Sequence, residues 1–234
     1  MVVAAGEFEA FGASHLVLLA VFALGVWPIV RIGRAHRGTD AALWFSRAVA
    51  VAIPLFTLPL QILDFTPGEY DFHTTLPIQL CDLAWLAATY ALWTHRPYAV
   101  ALTYYWGLTL TTQAVITPAL AEEFPSPKFI AFWGTHLLIV WAAIYLTWGL
   151  GLRPTWRGYR STVLTTLVWA VTAFTFNTIA GTNYGFLNRK PTTPSILDLL
   201  GPWPIYVVLE IVIVLAVWAL ITWPWVRGRV RDFS

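Results

Sequence analysis

A single cysteine, Cys81, sits in the stretch "TTLPIQLCDLAW" (residues 74–85), two residues after Gln79 and immediately before Asp82. A thiol in an apolar run is usually a small hydrophobe. It becomes a nucleophile only as the thiolate, which needs a nearby base. One histidine is placed to be that base. His136 lies in "FWGTHLLIVW", a stretch with no other reason to carry an imidazole. A thiol and an imidazole brought together make an activated nucleophile. Glu210, alone in the apolar run 203–225, either orients His136 or pairs with another polar group. Asn177 and Gln113 carry amides that could donate to an oxyanion or bond structurally, and Asp82 reads as a proton-bearing group or a hydrogen-bonded strut.

These residues need elements to hold them. Of the 234 residues, 58% are hydrophobic and only 11% are charged, with 14 Trp. An ordinary globular domain is about 25% charged, so the composition points to an integral membrane protein. A helix needs about 20 apolar residues to cross the hydrocarbon core. By that measure the chain divides into seven runs, at 13–31, 42–63, 76–94, 98–120, 129–151, 161–182 and 203–225, within one domain covering 1–234. The expected fold is all-α, a polytopic membrane bundle of seven transmembrane helices. Its first residues carry Glu7 and Glu9 in place of the basic start of a signal peptide.

Charge sets the orientation. With the N-terminus outside, the inner loops and C-terminus hold Arg31, Arg34, Arg37, Arg47, Arg96, Arg153, Arg157, Arg160, Arg227, Arg229 and Arg231, which is 11 of the 14 basic residues. Cytoplasmic loops are enriched in Lys and Arg, so the expected topology is N-terminus outside and C-terminus cytoplasmic. In the last outer loop, "TPSILDLLG" reads as a short helix with Thr193 as N-cap, Pro194 in the first turn and Gly201 as the stop. Trp203 and Tyr206 then anchor the seventh helix at the interface.

Against these spans the polar residues fall at one depth. Cys81 lies about five residues inside the third helix, or about 7–8 Å at ~1.5 Å per residue. His136 and Glu210 lie similarly deep in the fifth and seventh, and Gln113 and Asn177 similarly short of the ends of the fourth and sixth. On the third helix, at about 100° per residue, Gln79, Cys81 and Asp82 share an arc of about 160°. Intramembrane polar groups are costly and mark function by default. This layer suits either a catalytic site or the half-open binding site of a small-solute transporter or channel.

Some chemistries are excluded. Both lysines, Lys128 and Lys190, lie in loops, so no seventh-helix lysine exists for a Schiff base. There is no Gly-x-Ser-x-Gly elbow, no paired Cys or His metal signature, no Gly-rich phosphate loop and no basic cluster long enough for nucleic acid. No cofactor or metal is expected.

Three stretches carry a resemblance. "LPIQLCD" on the third helix, "GTHLLIVWAAIY" on the fifth and "NYGFLNRKPTTPSILDLLGPWPIY" leading into the seventh are similar to the YwaF-like integral membrane family, which includes the eukaryotic transmembrane protein 164. The resemblance covers most of the chain. It implies a membrane-embedded acyltransferase acting on phospholipids, with a cysteine nucleophile on Cys81 and a histidine partner on His136. The implied chemistry is acyl transfer, or lipid hydrolysis, through a thioester, with phospholipid and lysophospholipid as substrates. Glu210 would hold His136 in the productive tautomer. The Arg-rich, Lys-poor sequence looks bacterial, which places the protein in a bacterial plasma membrane.

Overall fold

The computed structural model describes residues 6–118, 120–191 and 195–227. Thr193, Pro194, Arg229 and Arg231 lie outside the described residues. Among the described residues the chain forms seven long helices and no sheet. They are α1 (Ala13–Ala35), α2 (Asp40–Asp64), α3 (Leu80–Thr94), α4 (Pro97–Tyr105, continued by Trp106–Thr111 and Thr112–Ile116), α5 (Pro127–Gly149), α6 (Trp156–Ala180) and α7 (Ile205–Arg227). Five of them, α1, α2, α5, α6 and α7, are long and apolar enough to cross a bilayer. The chain is an integral membrane protein.

α5 is the most enclosed of the five spans. It packs against α1, α2, α3 and α4. In lipid, burial of apolar surface does not draw helices together, so association depends on close packing of small residues. α3 buries a stripe of Ala84, Ala87, Ala88 and Ala91, and α5 buries Ala142 and Ala143. α1 approaches α5 closely enough that a Cβ on Gly33 would lie 2.5 Å from Gly149 Cα. α6 packs on α4, and α7 on α6. Trp218 Nε1 of α7 donates to Thr109 Oγ1 of α4 (2.9 Å), and Tyr104 OH of α4 donates to the Ile221 carbonyl of α7 (3.0 Å).

The bundle has two unlike ends. One, the arginine end, carries Arg34 and Arg37, whose guanidinium groups donate to the carbonyls of Trp148 (3.2 Å) and Gly149 (2.7 Å). They satisfy the carbonyls left free where α5 stops, a structural duty beyond the topological one read from sequence. The other end holds the polar residues and is the site end.

Two helices depart from the expected spans in ways that matter for the site. The third begins at Leu80, not 76. Gln79 is its N-cap, with extended backbone (φ −62°, ψ 149°), and its N–H is accepted by the Asp82 carboxylate (2.9 Å). Cys81 therefore stands in the first turn of α3, and Gln79 precedes the helix. The arc of three polar residues on one helix is corrected accordingly. The fourth span stops at Ile116, two residues before Pro118, and contains a π-helical stretch at Trp106–Thr111. Such widened turns occur often at functional sites.

The short helix of the last loop is a 3-10 turn at Ile196–Leu200, capped by Ser195, whose N–H is held by Asp198 (2.9 Å). Gly201 ends it with φ +87°, a conformation natural to glycine. Trp203 lies ahead of α7, and Tyr206 is fully buried. Both also hold the preceding loop: Trp203 Nε1 donates to the Leu187 carbonyl (3.1 Å), and Tyr206 OH to the Phe186 carbonyl.

Candidate active site

On the approach to Cys81, residues 75–79 are not helical, and their polar backbone atoms need partners from elsewhere. Distant parts of the protein supply them. Gln61 Nε2 donates to the Thr75 carbonyl (3.0 Å). The Leu76 N–H donates to Tyr184 OH (3.2 Å), which itself donates to the Phe72 carbonyl (2.7 Å). Trp169 Nε1 donates to the Ile78 carbonyl (2.8 Å), and the Gly185 N–H donates to Gln79 Oε1 (2.9 Å). α2, α6 and the loop after α6 thus fix the residues immediately before the cysteine.

That loop is built in turn on Asn177. Its Oδ1 accepts from Tyr184 N–H (2.8 Å) and Thr182 Oγ1 (2.7 Å), and its Nδ2 donates to the Tyr184 carbonyl (2.9 Å). The residue is 2% exposed. Its amide is committed to folding the loop, so the oxyanion role considered for it is replaced by a supporting one. Asp82 is likewise a strut, on the Gln79 backbone.

His136 is oriented from within α5. Its Nδ1 lies 2.7 Å from the Phe132 carbonyl, and the ring stacks on Phe132 with centroids 4.1 Å apart. A carbonyl can only accept, so Nδ1 carries the proton and the neutral ring leaves Nε2 with its lone pair free. The orienting bond expected from Glu210 is thus made by a main-chain carbonyl one turn away.

A cavity of about 730 Å³ opens at the site end, and Gln79, Cys81, Gln113, His136 and Glu210 all line it. α3 and α5, which carry Cys81 and His136, pack against each other. Cys81 keeps its side chain accessible. Asp82 and Asn177 lie off the wall. The lining is amphipathic. The polar residues stand near the site end, while Val163, Leu167, Val214, Leu215, Trp106 and Trp218 line the depth. Along α7 the lining runs from Val207 to Trp218, about 16 Å at ~1.5 Å per residue. Phe11, ahead of α1, and Gly185–Leu187, after α6, form part of the rim. Both were missed in the sequence because neither carries reactive chemistry. The glycine in "NYGF" was the available signal: Gly185 has φ +68°, and a Cβ there would meet the Trp169 ring at 2.6 Å.

The chain also has recognisable relatives. The chain is 27% identical over 208 residues to an uncharacterized protein of Treponema pallidum (strain Nichols), a match covering 86% of this chain and 83% of that one. No solved structure matches. Residues 10–222 match the TMEM164 family, and the chain belongs to that family.

Proposed function

We propose that this protein is a membrane-embedded lipid acyltransferase that works through a thioester on Cys81. The observation that carries the reading is that the only cysteine and a histidine with a free Nε2 open onto the same amphipathic cavity. Its volume lies within the roughly 300–1,000 Å³ usual for small-molecule sites. A phospholipid places its glycerol ester among the polar residues and its acyl chain along Leu167, Val214 and Leu215 toward Trp218. His136 Nε2 takes the thiol proton as Sγ bonds to the ester carbon. The tetrahedral intermediate collapses to the Cys81 thioester, and the departing lysophospholipid oxygen takes the proton back from Nε2. A lysophospholipid hydroxyl then attacks the thioester by the reverse path, and water is the competing acceptor.

All seven helices cross the bilayer in this reading, with the N-terminus and the site end outside and the arginine end cytoplasmic, as the basic residues favour. The membrane is the plasma membrane of a bacterium. Among the described residues, Glu210 is the only Asp, Glu, Lys or Arg on the cavity wall, which supports acyl chemistry over passage of a polar solute. Intact-mass analysis after incubation with phospholipid tests the proposal. An adduct of fatty-acyl mass that hydroxylamine removes and Cys81→Ala lacks is the expected result. Full acyl-transfer activity in purified Cys81→Ala protein overturns it.

A further inference from the structure

Acyl transfer at a thiol builds negative charge on the former carbonyl oxygen, and donors aimed at that oxygen are usually a large part of catalysis. Gln113 lines the cavity, but from α4 rather than beside the nucleophile. Gln79 lies on the wall two residues before Cys81. A glutamine amide has one accepting and one donating end, and their assignment must come from the partners. Here the partner is decisive. The Gly185 N–H lies 2.9 Å from the side-chain oxygen, and an N–H cannot accept. Oε1 is therefore turned to the loop, and the NH2 is the end that can donate into the cavity.

The placement of that amide is over-determined. Its backbone N–H is held by Asp82. The carbonyl just before it, on Ile78, is held by Trp169. Gly185 reaches Oε1 only because its positive φ and missing side chain let the loop lie against Trp169. An amide serving only as a helix cap does not require a contact from a loop 106 residues away.

We propose that Gln79 is a catalytic residue, the side-chain donor that stabilises the oxyanion formed when Cys81 attacks an acyl ester, with the Gly185 N–H setting its orientation. The proposal rests on the thioester reading above. As Sγ bonds to the carbonyl carbon, the π pair moves to oxygen and that oxygen takes a hydrogen bond from Gln79 Nε2. When the pair returns, the bond to the lysophospholipid oxygen breaks and the hydrogen bond weakens. Gln79 itself gains and loses no proton.

Two substitutions separate this role from a structural one. Gln79→Glu keeps an oxygen for the Gly185 N–H and removes the donor; Gln79→Met removes both. On each purified protein two rates are measured: acyl-adduct formation on Cys81 from phospholipid, and alkylation of Cys81 by iodoacetamide, which passes through no oxyanion. Cys81 is the only thiol, so both rates report one atom, and both are measured on the monodisperse fraction whose thermal unfolding in detergent is cooperative, because an unfolded chain alkylates without acylating. The expected result is a ratio of acylation to alkylation lowered about 10²- to 10³-fold in both variants, with the phospholipid concentration at half-maximal rate unchanged. A Gln79→Glu ratio equal to the parent's overturns the proposal and leaves Gln79 as an acceptor for Gly185. So does a fall in alkylation that matches the fall in acylation. A parent that alkylates but never acylates removes the thioester reading and the donor together, whereas a parent that acylates with undiminished Gln79 variants removes the donor alone.

Discussion

His136 owes its orientation to a carbonyl four residues earlier on its own helix, so the base role proposed for it needs no second side chain. Replacing it with Ala is expected to slow acylation by about 10²–10⁴-fold, the usual contribution of a general base, as read by the rate of acyl-adduct formation. Glu210→Gln, which leaves the Phe132 contact intact, is expected to cost far less in the same assay. Tyr184 works at a distance from the chemistry. Tyr184→Phe removes the hydroxyl shared by Leu76 and Phe72 and is expected to destabilise the protein by about 1–3 kcal/mol, measured by thermal unfolding in detergent. Cys81 and His136 stand out in the sequence as isolated reactive groups in apolar runs, and in the fold both line one cavity. Asn177 looked like the same kind of residue. Its partners are the Thr182 hydroxyl and the Tyr184 backbone, five and seven residues on, which the turn after α6 folds back onto it, so its structural role was not legible.

At the scale of elements, hydropathy located the seven long helices but misplaced the starts of α3 and α6 and the end of α4; at α3 the reason is that Leu76, Pro77 and Ile78 are apolar without being helical. A transfer scale reads what a side chain prefers, not where its backbone hydrogen bonds go. Here the bonds go to Gln61, Tyr184 and Trp169. The four-residue error moved Cys81 from a helix interior to a helix start, which decides what surrounds the sulfur. The widened turn in α4 has no sequence mark of comparable strength. The contact of α1 with α5 gives a test of packing. Gly33→Val places its Cβ against Gly149 and is expected to cost about 1–3 kcal/mol through overpacking, with a lowered unfolding temperature and little change in the acylation rate of the folded protein.

For the whole molecule, the separation of a polar, open end from an arginine-capped end was visible in the distribution of charge and polar residues, and the family assignment matched the resemblance carried by three short stretches. The depth of the cavity was not visible, since its lower wall is made of ordinary apolar residues. That depth yields a prediction. Trp218→Ala enlarges the apolar part of the cavity, and competition between phospholipids of different chain length is expected to shift the preferred acyl group toward longer chains. Orientation is checked on intact cells: a membrane-impermeant maleimide added outside is expected to label Cys81, and no labelling until the membrane is opened would reverse the proposed topology.

Around Cys81 and His136 each hydrogen bond joins a main-chain atom to one particular side chain: the Ile78 carbonyl to Trp169, the Leu76 amide to Tyr184, the Gly185 amide to Gln79 and the Phe132 carbonyl to His136. A main-chain carbonyl survives any substitution at its own position, and an amide survives any but proline. Such bonds are therefore vulnerable from one side, and tolerance to mutation there is expected to be sharply unequal between the two members of each pair.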